Sequence, residues 1–496
     1  MEKLIDPLSR AEEALRLGAL YLAGKELRSV PARRLPRKHL WRFANLCRRA
    51  QLPELGIGAL RRFVRPDRPV RDAPTPPEIG EYAACLISLG AVSEGMDLLT
   101  EVDGREYPES LLFRSFGFIT EWNYAAAIRP LQDYLRVASS DYQRLVAHVN
   151  LSASLISEGL YADARRALDE TQKGAQELRA HRLGQNCQEL RAQLLVGSGE
   201  FQEAERYLDS AAWESAESSS LDQLLIRKWK AICLLNRIGG DLRSASRRLD
   251  GVRADAIGNR YWEIVRDCDY HLATRTRDPE LWNRLYFGTP FAGYRRRLMR
   301  EAPPEWHMAS EYLWHLGPRS AATFDLQELA EDGIRLPVKP GMLLARLLDL
   351  TTSDFYAPFR PGSLFSALFP GEHFNPSSSV ARVHILMHRM RKILRPTSLQ
   401  IRWEGGSYRL ASPKGVRVRI RAEPRFPSRM WALMRQLQER LGGRTFSARD
   451  ASRALGISLR SANRVIGFGR AQSLLNRQGR GKSVRYLIPE QALGRS

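Results

Sequence analysis

The sequence predicts a mainly α chain, an N-terminal helical solenoid followed by two small α+β units. Three observations predict it. A spaced pattern of turn, apolar, small and leucine residues recurs within the first 287 residues. After residue 320 the chain changes to short strands alternating with helices. The positive charge is concentrated in that same C-terminal stretch, where 30 Lys and Arg face 12 Asp and Glu and supply 18 of the net +22.

The repeat comes first in the chain. A turn residue is followed by an apolar residue two positions on, a small residue at five and leucine at nine. It reads Gly90, Val92, Gly95, Leu99; then Trp122, Tyr124, Ala127, Leu131; Gly159, Tyr161, Ala164, Leu168; Gly199, Phe201, Ala204, Leu208; and Gly240, Leu242, Ala245, Leu249. The starts lie 32, 37, 40 and 41 residues apart, and Leu55, Ala59 and Phe63 mark an earlier copy. Glycine lets the chain reverse between two helices. The three following positions then share one face of the second helix, with the small residue where two helices cross. Each helix pair leaves an apolar face for the next to cover, so the array builds a solenoid. Over about residues 75–285 it resembles tetratricopeptide repeats. The resemblance implies a surface that binds a protein partner or a second copy of the chain.

Residues 1–287 are therefore expected as the repeat domain and 288–320 as a linker, punctuated by Pro303-Pro304 and Gly317-Pro318. The run Arg295, Arg296, Arg297 with Arg300 reads as a solvated helix face, with contact to a phosphate backbone as the alternative. Five cysteines, Cys47, Cys85, Cys187, Cys233 and Cys268, are scattered and odd in number, which argues for buried thiols and against disulfides or a zinc cage. No apolar run approaches the roughly 18 residues of a membrane helix. A cytoplasmic, nucleoid-associated protein without membrane partners is the expectation.

Residues 321–412 form the first α+β unit. "TFDLQ" and "GIRLPV" read as strands, Gly341–Leu350 and Pro361–Pro370 as helices, and Asn375–Leu394 as a third helix entered through a serine cap. "LQIRW", "GGS" and "YRLA" follow as a hairpin. On the third helix Val383, Met387, Met390 and Leu394 form a buried stripe. The opposite face carries Arg382, Ile385, His388, Arg389 and Lys392, a basic width suited to the DNA major groove. "VHILMHRMRKIL" followed by "SLQIRWEGGSYRLA" resembles the winged-helix effector domain of OmpR/PhoB-type response regulators. That resemblance implies base contact by Arg389, then Arg382, Ile385 and His388, with Arg391 and Lys392 on the DNA backbone. Glu404 stands where the family's hairpin carries an arginine, flanked by Arg402 and Arg409. Regulators that join this domain to helical repeats, such as the SARP-like activators, place it first; here it follows the repeats.

Residues 425–490 read as a second winged helix-turn-helix. A helix from "MWALMRQLQERLGG" is followed by Ser447–Leu455, the turn Gly456-Ile457-Ser458, and a helix beginning at Leu459 with Ser458 as cap. Ala451, Leu455, Ile457, Ala462 and Val465 occupy the positions such a motif buries. Arg460, Ser461, Asn463 and Arg464 then point outward for DNA, and "RQGRGKSVRYLI" makes a basic wing with Arg480 and Lys482. Gly467 and Gly469 suggest that the helix ends near them. "GRGKS" lacks the first glycine of a phosphate-binding loop, since Asn476 stands there. Metal-binding and nucleophile motifs are absent, so neither a cofactor nor an enzyme is expected. The sequence thus reads as a regulator that binds double-stranded DNA. An adaptor or scaffold with non-specific DNA-binding or protein-binding winged helices is the alternative, and RNA binding is disfavoured by the lack of aromatic stacking motifs.

Overall fold

The computed structural model describes residues 2–66, 72–178, 180–209, 220–237, 241–304, 306, 308–338, 342–422, 429–471, 474–479 and 484–488. The chain is mainly helical with a small C-terminal sheet region, and the described residues form 23 α-helices and ten strands. It divides into two compact units. One joins Met1–Phe113, Leu313–Thr352 and Pro358–Ser496; the other joins Arg114–Tyr312 and Ser353–Ala357. The boundaries expected at 287/288 and 320/321 do not follow this division. Among the described residues no helix is long and apolar enough to cross a membrane.

The helices up to residue 258 come in pairs: α1 (Glu2–Arg16) with α2 (Leu20–Ser29), α3 (Leu40–Arg49) with α4 (Pro53–Val64), and α5 (Pro76–Ser88) with α6 (Val92–Leu99). Then come α7 (Glu109–Thr120) with α8 (Tyr124–Val137), α9 (Asp141–Ser157) with α10 (Tyr161–Glu177), α11 (His181–Gly197) with α12 (Phe201–Asp209), and α13 (Ser220–Asn236) with α14 (Leu242–Gly258). Two residues before the second helix stands a left-handed residue: Gly18, Gln51, Gly90, Trp122, Gly159 and Gly199 have φ between 55° and 88°. The expected turn at Gly240 lies outside the described residues. The leucine nine positions on is Leu27, Leu60, Leu99, Leu131, Leu168, Leu208 or Leu249, none more than 2% exposed. First helices of successive pairs also touch, α1 on α3 and α3 on α5 in one unit, α9 on α11, α11 on α13 and α13 on α15 (Trp262–Thr276) in the other.

Two registers differ from expectation. The early copy runs through Gln51, Pro53, Gly56 and Leu60, and Leu55 is exposed. Gly56 is the small residue because a Cβ there would meet the Cys85 Sγ at 2.8 Å. A further copy, Gly18, Leu20, Ala23, Leu27, precedes it. All five cysteines are buried.

The second unit continues through α15, α16 (Pro279–Phe287) and α17 (Ala292–Glu301). Its centre is a buried charge network. Arg266, fully buried, gives one guanidinium nitrogen to both Asp354 oxygens at 2.9 Å and another to Glu263 at 2.8 Å. Asp354 also accepts the N–H groups of Tyr356 and Ala357, each at 2.9 Å. The Tyr356 hydroxyl donates to buried Asp269 at 2.8 Å. The expected solvated arginine face of α17 is mostly tied down. Arg295 donates to the Thr289 carbonyl at 2.7 Å, Arg297 pairs with Glu301 at 3.0 Å and Arg300 with Glu158 at 3.3 Å. The surrounding carboxylates and carbonyls claim these groups, and Arg296 stays exposed.

The expected linker 288–320 thus holds α17 and also a strand, β1 (Glu311–Leu316). It joins β2 (Thr323–Asp325), β3 (Ala330–Glu331), β4 (Ile334–Arg335) and β7 (Val416–Arg421) in the order β1-β7-β2-β3-β4. β7 pairs parallel to β2 with Phe324 opposite Val418, both fully buried. The expected first unit, ending at 412, leaves out β7. Between these strands lie α18 (Leu343–Thr351), α19 (Pro361–Leu368), α20 (Ser378–Leu394) and the hairpin of β5 (Gln400–Glu404) and β6 (Ser407–Ala411). Gly405 and Gly406, both of positive φ, make its two-residue turn. The N-cap of α20 is Ser377, as expected, but its side chain makes no cap bond; the Asn375 side-chain oxygen instead accepts the N–H groups of Ser377 at 2.9 Å and Ser378 at 3.2 Å.

The last segment contains α21 (Arg429–Leu441), α22 (Ala448–Leu455), α23 (Leu459–Ala471) and a sheet in the order β8-β10-β9, from β8 (Thr445–Phe446), β9 (Asn476–Gln478) and β10 (Arg485–Leu487). Met434, Leu437, Phe446, Ala451, Ala462, Val465 and Ile488 fill its core. Ser447 and Asp450 cap α22 reciprocally. α23 runs through both Gly467 and Gly469 instead of ending there. Gly469 is required by packing, since a Cβ would meet Leu475 at 2.7 Å and Met434 at 2.8 Å.

Candidate nucleic-acid interface

α20 is amphipathic by construction. Val383, Leu386, Met387, Met390 and Leu394 are buried, which fixes the orientation of the opposite face. Ile385 is 53% exposed, and His388, Arg389, Arg391 and Lys392 are exposed beside it. α19 and the hairpin hold the helix from behind. Tyr408, buried on β6, packs against Trp403 with ring centroids 4.5 Å apart and bonds the His384 ring.

Not every expected arginine is equally available. Arg382 donates to Glu372 at 2.7 Å and lies over the Phe369 ring at 3.9 Å, so it is drawn back onto the turn before α20. Arg391 donates its Nε to the Ile401 carbonyl at 2.9 Å and braces the hairpin. Arg402 and Arg409 are directly opposite across the hairpin, with Glu404 4.0 Å from Arg402. Arg402 is exposed and Arg409 half-buried. Like charges opposed in this way repel. Arg389 and Lys392 form no ion pair with a described residue, and with Ile385 and His388 they make the open face.

On α23, Arg460, Asn463 and Arg464 are exposed while Ala462 and Val465 are buried. Ser461 is half-buried and engaged by the cap, its N–H donating to the Ser458 hydroxyl at 3.2 Å. Arg460, Asn463 and Arg464, with Leu459, line a cleft of about 380 Å³ whose other wall is Pro370, Gly371 and Glu372. The hydrogen bond from Arg382 holds the Glu372 carboxyl below the usual range; burial opposes this, and the charges of Arg382, Arg464 and Arg460 add to it. Arg480 and Lys482, expected on a wing, lie outside the described residues.

No family model and no curated protein matches the chain. Among the described residues no group of three or more His, Cys, Asp or Glu is placed to hold a metal ion.

Sequence reasoning missed a set of positioning residues on α6. Glu94, 10% exposed, accepts the Phe374 N–H at 2.7 Å and meets the His373 ring at 3.1 Å, just before α20. One turn on, Asp97 pairs with Arg470 at the end of α23. Arg477 on β9 donates to the Asp97 carbonyl at 3.4 Å and to the Thr100 hydroxyl. A single eight-residue helix thus holds both C-terminal segments. The sequence signal was present as two acids one turn apart on a helix otherwise read for its apolar positions.

Proposed function

We propose that this protein is a DNA-binding transcriptional regulator. Its C-terminal segments act as two winged helices, with α20 as the recognition helix, and its helix pairs act as a tetratricopeptide-like solenoid that binds a protein partner or a second copy. The observation that carries the reading is the open face of α20. Ile385, His388, Arg389 and Lys392 sit together, exposed, on a helix whose back is locked into a core. An Arg at that position reaches guanine O6 and N7 in the major groove, and an exposed isoleucine packs on a thymine methyl. Arg402 and Arg409, opposite each other on the hairpin, add positive charge that attracts a phosphate. Around them the surplus of positive charge beyond residue 320 provides long-range attraction to a polyanion.

Protection footprinting of genomic fragments against random competitor DNA tests this. A discrete protected site supports regulation. Uniform binding that vanishes with salt supports the adaptor or scaffold reading instead. The pattern of helix pairs supports partner binding, and chromatographic mass against concentration separates self-association from capture of another protein.

A further inference from the structure

We propose that the cleft between α23 and the turn Pro370–Glu372 seats a backbone phosphate of duplex DNA. On this view α23 grips the strand beside the groove instead of reading bases. The inference rests on the DNA-binding reading above and changes the role of Arg460, Asn463 and Arg464 within it.

Charge argues for the seat. Glu372 is the only carboxylate among the lining residues, and Arg382 already holds it. Arg460 and Arg464 therefore stand in the cleft without a carboxylate of their own, and neither forms an ion pair with a described residue. The donors match a phosphodiester: two guanidinium groups, the Asn463 amide, and the first turn of α23, where the helix dipole favours an anion. A space of about 380 Å³ has room for a phosphate group. Position supplies the register. The cleft wall leads directly into α20 through Asn375, and Arg382 on the first turns of α20 bonds the same Glu372. A phosphate in the cleft thus borders the groove that α20 occupies.

The test uses the full chain, wild type and R460A/R464A, with a duplex carrying a bound site. The double variant is expected to weaken binding equally across sequences. It should also flatten the dependence of log affinity on log salt by about 0.9 for each phosphate that is no longer neutralised. Arg464→Lys, which keeps the charge, should restore most of the affinity. An unchanged salt slope in a double variant that still folds overturns the seat while leaving the α20 reading intact. A changed base preference overturns it in favour of base reading by α23. Duplex RNA bound as tightly, with the same loss in the variant, removes DNA as the ligand. Inorganic phosphate that raises the unfolding temperature of wild type but not of the variant, with equal DNA slopes, assigns the cleft to free phosphate and overturns the proposal. Wild-type protein that binds no duplex at any salt overturns the regulatory reading itself.

Discussion

Arg266 on α15 and Arg389 on α20 are the same residue on helices of 15 and 17 residues, yet their surroundings are opposite. Arg266 is fully buried, bonded to Asp354 and Glu263, and lies 5.2 Å from the centre of the Tyr356 ring. Arg389 stands in solvent beside Ile385, His388 and Lys392. The difference follows the supply of acid. The first 320 residues carry 47 Lys and Arg against 43 Asp and Glu, so a cation there finds a carboxylate nearby. From Ala321 onward 30 bases share 12 acids. A surplus of this size leaves cations unpaired on the surface, and their place on a helix then decides what they meet. Arg266 is a building element of its unit; Arg389 is held out to the surroundings.

Four experiments break or sharpen that contrast. The largest effect is expected at the buried pair. Arg266→Met or Asp354→Leu alone should cost about 3–5 kcal/mol, because each strands a buried charge, while both together should cost far less. Thermal unfolding of the four proteins checks this, and single variants no worse than the exposed control Arg129→Ala would show that burial does not distinguish the two arginines. Next, Arg389→Ala should lose about 1–3 kcal/mol of binding at a specific site with little change in stability. Equal affinity and equal sequence preference in a binding titration would remove Arg389 from the interface.

The third experiment compares neighbouring glycines of α23. Gly469→Ala should destabilise by about 1–3 kcal/mol through overpacking against Leu475 and Met434. Gly467→Ala, with nothing nearer than Pro370 at 3.8 Å, should stabilise by about 0.5–1 kcal/mol through helix propensity. Opposite signs in denaturant midpoint are the expected readout; a gain at Gly469 would contradict the packing.

The fourth experiment concerns pH. Burial pushes the His271 imidazole down to about 4, against the favourable charge of Asp267. Its folded value is depressed below the unfolded one near 6.5, so the folded state resists protonation. The stability it permits is complete above about pH 6.5 and declines as pH falls towards 4, by about 1 kcal/mol near pH 5.5. His271→Gln should flatten unfolding temperature against pH in that window. A profile identical to wild type would place the titration elsewhere.

The repeat was legible because its signal is local. Ala127, Ala164, Ala204 and Ala245 are fully buried, as their spacing requires. The copy at Gln51 was hidden because a glutamine holds the left-handed turn that glycine marks elsewhere. β7 escaped because its parallel partner β2 lies more than ninety residues earlier, and two-residue periodicity names a strand without naming its neighbour. On α20 the buried stripe was readable, and the restraint on Arg382 was not. Periodicity fixes which way a side chain leaves the helix, whereas Glu372 and Phe369 reach it only once the preceding turn has folded back. The capping bonds come from Asn375 and not from the N-cap Ser377 for a similar reason, since serine and asparagine compete for the same N–H groups and geometry decides between them.

The bond from Arg477 to Asp97 spans 380 residues of chain. During synthesis α6 leaves the ribosome long before the segments it holds. At about 5–20 residues per second the interval is roughly 20–80 s. Through that time Glu94 has Arg65, already made, at 3.4 Å, while Asp97 waits for Arg470 and Arg477. A chaperone or early ligand acting on the nascent chain meets Asp97 without the arginines that the finished molecule sets against it.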